Sequence, residues 1–159
     1  MATNTVLPRR PGERPETGRT VHAQLSQTGP MELHQELWRR MTKLDGVVVG
    51  RSHVSLPRSR ALHLAPALAE GPDSAFFAGT EFAHLHSVDD SSLHAMLPFA
   101  CAADAIEAGW AESHPLVRRG LLPHSALMVY GPRDSHELDI VWQLVQQSYA
   151  FARGLPVFP

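Results

Sequence analysis

From residue 30 onward the chain moves between two kinds of hydrophobic spacing. Leu33, Leu37, Trp38 and Met41 recur at intervals of three and four, with Glu32, Gln35, Arg39 and Arg40 elsewhere on the wheel. That period predicts a helix over residues 30–44 that packs one stripe on a sheet, capped by Thr28 or Gly29, with Pro30 in its first turn and Gly46 beyond its end. The pattern then shortens to VVVG, HVSL and ALHLAPAL, runs too short for a helix and bounded by Gly, Pro or Arg. These predict two or three strands. Gly71, Pro72 and Asp73 predict a turn, and residues 75–86 a further strand.

Within that strand, alternation places His84 and His86 on one face with Thr80 and Phe82, and Glu81, Ala83 and Leu85 on the other. VDDSS is turn-forming and LHAML alternates again, so the two runs predict a hairpin that returns His94 beside the first strand. A loop with an odd number of residues, for instance residues 89–91, sets His94 on the histidine face and directly opposite His86. An even loop flips it away, because a one-residue slip in register inverts every side chain.

Further along, FACAADAIEA predicts a short helix with Cys101, Ala105 and Ile106 inward and Gly109 at its end. WAESHPL is extended, with Pro115 biasing His114 to that backbone. Residues 117–124 predict an exposed loop around Arg118, Arg119 and Gly120, SALMVY a strand, and GPRD its exit turn. Asp134 and Glu137 resemble a capping box, and Leu138, Val141, Trp142, Val145 and Tyr149 form the core stripe of a last helix. Helices do not alternate regularly with strands, which predicts an α+β class: a two-layer single domain with a mainly antiparallel sheet covered by helices.

Composition narrows the function classes. At 159 residues there is room for one domain with a real core. Residues 1–29, with Pro8, Pro11 and Pro15 and no periodicity, are expected to form a polar arm, residues 30–154 the domain, and 155–159 a tail. The formal net charge of -2 gives no reason to expect nucleic acid or an acidic membrane surface as partner. No run approaches the ~20 apolar residues of a membrane span, and the amino terminus lacks a signal peptide's apolar core, so a cytoplasmic location is expected. Cys101 is the single cysteine, which rules out an internal disulfide and suits a reducing compartment. Without a basic neighbour it reads as core packing rather than a nucleophile.

The compositional excess is histidine, ten residues in all. An H-x-H pair on one strand with a third histidine on its neighbour could bring the nitrogens of His84, His86 and His94 to one divalent ion and leave positions open. Glu81 would join only if a bulge turned it inward, or would accept an N–H from a ligand histidine. His114 is a fourth candidate. Without a metal the same residues make a proton-transfer or ligand-binding site, since imidazole changes charge near neutral pH. A purely structural polar network is the third reading. His53 and His63 read as surface or partly buried strand residues. There is no Gly-rich phosphate loop, no GxSxG elbow and no CxxC pair.

The segment from Thr80 to Ala152 resembles the conserved domain of the fungal luciferases, the enzymes of bioluminescent mushrooms. EFAHLH resembles that family's E-x-A-H-x-H, SSLH follows at the same distance, GWAESHPL resembles G-W-x-x-x-H-P-L, and VYGPRD resembles Y-x-P-R. Similarity around HVSLP and ALHLAP is weaker. The resemblance implies an enzyme that oxidises a hydroxylated α-pyrone such as 3-hydroxyhispidin with molecular oxygen, with no flavin or ATP required. On it, one of His84, His86, His94 or His114 would be the base that deprotonates the enol, Glu81 belongs to the same constellation, and Arg133 would stabilise the enolate or peroxide. The alternative is a non-catalytic module that binds a metal ion or small metabolite. The hydrophobic amino-terminal anchor of the fungal enzymes has no counterpart in the polar arm, so membrane attachment is not expected.

Overall fold

The computed structural model describes residues 6–157, so the first five residues of the expected arm and the last two of the tail lie outside the described residues. Strands β1 (Val47–Arg51), β2 (Arg60–Leu64), β3 (Glu81–Leu85), β4 (Leu93–Met96), β5 (Ala111–Ser113) and β6 (Ala126–Val129) form one sheet in the order β1-β2-β3-β4-β6-β5. Every neighbouring pair is antiparallel. Helices α1 (Met31–Met41) and α4 (Ser135–Arg153) pack together over the sheet, α2 (Phe99–Glu107) lies by β5, and the short α3 (Pro115–Arg118) follows β5. This is the expected α+β two-layer domain.

Alternation divides the sheet into two buried faces. Leu62, Leu64, Ala83, Leu85, Leu93, Ala95, Leu127 and Val129 join Leu37 and Met41 of α1 and Leu138, Val141, Leu144 and Val145 of α4 in one core. The residues between them form the other face, where Ala61, His84, His94, Met128 and Glu112 stand in register across five strands. The described part of the expected arm, residues 6–29, holds no helix and a single bridge, Thr17↔Gln24, yet lies as a strap against the domain. Trp110 Nε1 donates to Pro8 O at 2.6 Å, Gly131 N–H to Gln24 Oε1 at 2.8 Å, and Arg14 to Ala111 O at 2.9 Å and to Ile106 O.

Two details of strand geometry differ from expectation and set the site. Ala83 faces Leu62 but Glu81 faces His63, so β3 has one residue more than β2 at this point, and Phe82 is the extra one. This β-bulge turns Phe82 into the core, where it meets Tyr149, and moves Glu81 to the histidine face. The hairpin register also differs. His94 is opposite His84, not His86, because the loop is residues 87–91, with His86 N–H donating to Ser92 O at 3.0 Å. Five residues are odd, so His94 keeps its face while the pairing shifts by two. Ser91 closes this loop at φ 63.

Other boundaries moved for local reasons. Pro30, not Thr28 or Gly29, precedes α1 as its cap, without a side-chain bond. Gly29 instead donates its N–H to Ser91 Oγ at 3.0 Å, and a Cβ there would come within 1.8 Å of Pro132 O. HVSL is not a strand, since the His53 and Val54 N–H groups bond Glu81 Oε1 and Ser52 Oγ rather than a ladder. The strand expected over 75–86 shrinks to β3, preceded by a turn at Asp73–Ala75, and Pro115 opens a helical turn in the stretch expected as extended and then loop. At α4, Asp134 Oδ1 accepts from Glu137 N–H at 2.8 Å, but Glu137 returns its carboxylate to Arg133 N–H at 3.0 Å rather than to the cap residue.

Phe82 is fully buried and anchors the bulge. Phe82→Ala should therefore cost about 3–5 kcal/mol, read as a lowered urea midpoint with an unchanged slope.

Candidate active site

Glu81 begins the site. Its carboxylate is fully buried and takes three donors: Ser52 Oγ–H at 2.7 Å, the His53 backbone N–H at 2.8 Å and His84 Nδ1 at 2.8 Å. Burial pushes this carboxyl up, but the bonds from His84, His53 and Ser52 outweigh it and hold Glu81 below its usual range. Asp90 does the same for the second histidine. His86 Nδ1 lies 3.1 Å from Asp90 Oδ2 and 2.9 Å from Ser92 Oγ, which itself donates to Asp90 Oδ1. Burial raises Asp90 as well, and the bonds from His86 and Ser92 more than reverse it. With carboxylates accepting from both Nδ1–H groups, His84 and His86 each turn an unprotonated Nε2 inward.

Both Nε2 atoms lie 2.9 Å from His94 Nδ1. On the far side of that ring, His94 Nε2 lies 2.8 Å from Nδ1 of His22, which the strap inserts into the sheet face, and His22 Nε2 lies 3.1 Å from Glu112 Oε2. Glu112 also accepts from Tyr130 OH at 2.9 Å and Thr17 Oγ1 at 3.1 Å. Burial raises its carboxyl, but the bonds from His22, Tyr130 and Thr17 leave it lowered and ionised; burial pushes the Tyr130 phenol up to about 12, so that hydroxyl stays a donor.

These contacts fix the protons when each ring is neutral. Ionised Glu112 requires Nε2–H on His22, so His22 Nδ1 accepts, His94 Nε2–H donates to it, and His94 Nδ1 carries a lone pair. Three lone pairs, on His84 Nε2, His86 Nε2 and His94 Nδ1, then face one point with no proton between them. For His84 and His94 neutrality follows from burial. Desolvation lowers His84 despite Glu81, and lowers His94 far below its ordinary value, helped by the neighbouring histidines. The three donor atoms lie within 4.8 Å of one another. On an octahedral ion with ~2.1 Å bonds, adjacent nitrogens are ~3.0 Å apart, close to the 2.9 Å seen for both contacts to His94. The residues fit a cation.

A second trio, His22, His94 and His114, is also close enough to hold an ion. It fits less well. His94 Nε2 carries a proton, and His114 Nδ1 accepts from Leu116 N–H at 3.1 Å, which puts the neutral ring's proton on Nε2. Burial, with His22, His84 and His86 nearby, lowers His114 to about 4, so it remains neutral.

The cluster floors a cavity of about 1060 Å³. His22, His86, His94 and His114 line it together with Val21, Val54, Leu56 and Leu116, while His84 and Glu81 sit behind. The structure thus gathers His84, His86, His94, His114 and Glu81. Arg133 is not in the lining: it is held by Glu137, by Gln27 Oε1 at 3.1 Å and by Pro11 O at 2.9 Å. His53 and His63 pair with each other, ring centroids 5.1 Å apart, outside the cluster. The sequence reading missed His22, Asp90, Ser92 and Glu112. For Asp90 and Ser92 a signal existed in their place between His86 and His94. For His22 there was none, since it lies in a stretch without periodicity.

An α+β domain with a buried histidine cluster under a cavity is the class defined by this geometry. Residues 79–148 match the family model described as Luciferase domain. The chain is 25% identical to a luciferase of Armillaria mellea in an alignment covering 94% of this chain and 62% of that protein. It is 30% identical to luciferases of Armillaria gallica and Neonothopanus nambi over 48% of this chain and 29% of each. Residues 79–148 thus resemble a luciferase domain, and the chain spans less than two thirds of the length of these relatives. No solved structure matches it. Among the described residues no helix is long and apolar enough to cross a membrane.

An amide side chain can copy neutral His22, accepting from His94 and donating to Glu112. His22→Gln should stay within about 1 kcal/mol of the parent in urea unfolding, whereas His22→Leu, which leaves the buried His94 Nε2–H without an acceptor while half-buried Glu112 keeps Tyr130 and Thr17, should lose about 1–3 kcal/mol.

Proposed function

We propose that the chain is an oxygen-using enzyme that oxidises an enolic small molecule of the hydroxy-α-pyrone type, and that His84, His86 and His94 hold one divalent transition ion beneath the substrate. The observation that carries this reading is the convergence of three unprotonated imidazole nitrogens. Each ring is backed on its far nitrogen by a carboxylate or, through His22, by a relay to one. The relation to the fungal luciferases supports the oxidative chemistry. A divalent transition ion in this site would supply a Lewis acid that lowers the pKa of an enol oxygen lying against it.

The chain's own residues do the rest. Glu81 and Asp90 lock the rings of His84 and His86, so the inward nitrogens need no reorientation when substrate arrives. His114, with its Nδ1 occupied by Leu116 N–H, offers Nε2–H to the enolate oxygen and stabilises its charge. Val21, Val54, Leu56 and Leu116 keep water from the reacting carbon. The enol proton passes to solvent water at the open mouth of the cavity; the enolate carbon then gives an electron pair to molecular oxygen, forming a C–O bond, the peroxide closes onto the ring, and cleavage of the lactone C–C and C–O bonds releases carbon dioxide.

Protein purified without a His tag should contain close to one metal per chain by elemental analysis, and a His84→Ala, His86→Ala double variant should contain none. Glu81→Ala and Asp90→Ala should each weaken metal binding by roughly 10- to 100-fold. Oxygen uptake with a 3-hydroxy-α-pyrone, measured by electrode without flavin, nicotinamide or ATP, should fall by about 10²-fold or more in His94→Ala and persist in His53→Ala and His63→Ala. A metal-free protein with full uptake would remove the ion from the proposal. Bound metal without uptake across a broad enol panel would leave a metal-binding module.

A further inference from the structure

Three arginines reach the cavity from three separate stretches of chain: Arg19 from the strap, Arg58 from the β1–β2 connection and Arg119 from the connection after α3. All three are exposed at the mouth. Asp90 is the one carboxylate among the lining residues, and it is committed to His86 and Ser92. Arg58 has Asp89 Oδ2 at 4.0 Å, with both side chains 83% exposed, a pair of little strength. Arg19 and Arg119 form no ion pair among the described residues. A mouth with three cations and one engaged anion stands out in a chain whose formal net charge is -2.

Size points the same way. Small-molecule pockets run to roughly 300–1,000 Å³, and a bare pyrone ring fills on the order of a tenth of the larger figure. The cavity of about 1060 Å³ has room for a longer molecule whose far end lies at the arginines while its enol end meets the histidines. We propose that the substrate carries a permanent carboxylate at the end remote from the enol, bound by Arg19, Arg58 and Arg119. Its apolar body runs along Val54, Leu56, Pro57 and Leu116. Guanidinium groups suit this task because their planar N–H forks match a carboxylate's two oxygens, and like-signed charges at a mouth also steer the ligand inward.

The enol end of this description rests on the oxidative reading, but the choice of charge can be tested without turnover. Anaerobic calorimetric titration of the full chain would compare coumalate with its methyl ester and 4-hydroxycinnamate with its methyl ester. Each acid should bind at least about tenfold more tightly than its ester at low salt, and the preference should shrink about threefold or more in ~0.5 M salt. In an Arg19→Gln, Arg58→Gln, Arg119→Gln triple variant the preference should fall towards unity with the thermal midpoint unchanged. Equal affinities for acid and ester would overturn the proposal. So would a preference that survives the triple variant, which would assign it to the histidine site, or no saturable binding of either acid up to about 10 mM. If a neutral hydroxypyrone still supports oxygen uptake in any of those cases, the carboxylate falls and the oxidative reading stands.

Discussion

The bond between the ionised Glu81 carboxylate and His84 Nδ1 exists because β3 carries one more residue than β2 across their shared ladder. A fully buried carboxylate costs several kcal/mol unless its oxygens are satisfied, and Ser52, His53 and His84 together satisfy Glu81. That requirement reaches outward. It draws the Ser52–Val54 backbone down onto the sheet and away from strand pairing, which in turn leaves Val54 and Leu56 as the cavity wall. Inward, it fixes the tautomer of His84 and so the direction of the lone pair that meets His94.

The same logic repeats twice with different building blocks. Asp90 comes from the hairpin loop and is aimed by Ser92, whereas Glu112 comes from β5 and acts through His22. Three carboxylates, drawn from a bulged strand, a turn and an edge strand, thus surround one knot of imidazoles. Burial lowers the affinity of His84 and His94 for protons, while the carboxylates orient the protons on the rings they touch. Neutral, fixed imidazoles suit binding of a cation better than storage of a proton. On this ground a metal is proposed here in preference to a bare acid–base site.

The strap gives the second sheet face its cover. Helices α1 and α4 bury one face through apolar stripes, but the histidine face is covered by a segment held by bonds from Trp110 Nε1 to Pro8 O, from Gly131 N–H to Gln24 Oε1 and from Arg14 to Ala111 O, and by buried Arg10, His22 and Gln24. Polar contacts of this kind have no period. They leave room beside His22 for a cavity, which a second apolar layer would have filled.

Periodicity in the sequence settled helices α1, α2 and α4, the antiparallel hairpin and the shared face of His84 and His86, because those depend on which side of a local element each residue falls, while His94 joins that face only because the loop is odd. The motif spacing from Glu81 to His114 likewise pointed to the similarity with luciferases. What local spacing could not carry was the bulge at Phe82 and the two-residue shift that pairs His84 with His94, since both arise from competition among buried partners on neighbouring strands. Nor could it carry the entry of His22 or the diversion of Arg133 to Glu137. Those contacts join residues tens of positions apart, and only packing of the whole chain decides which polar groups must find each other out of water.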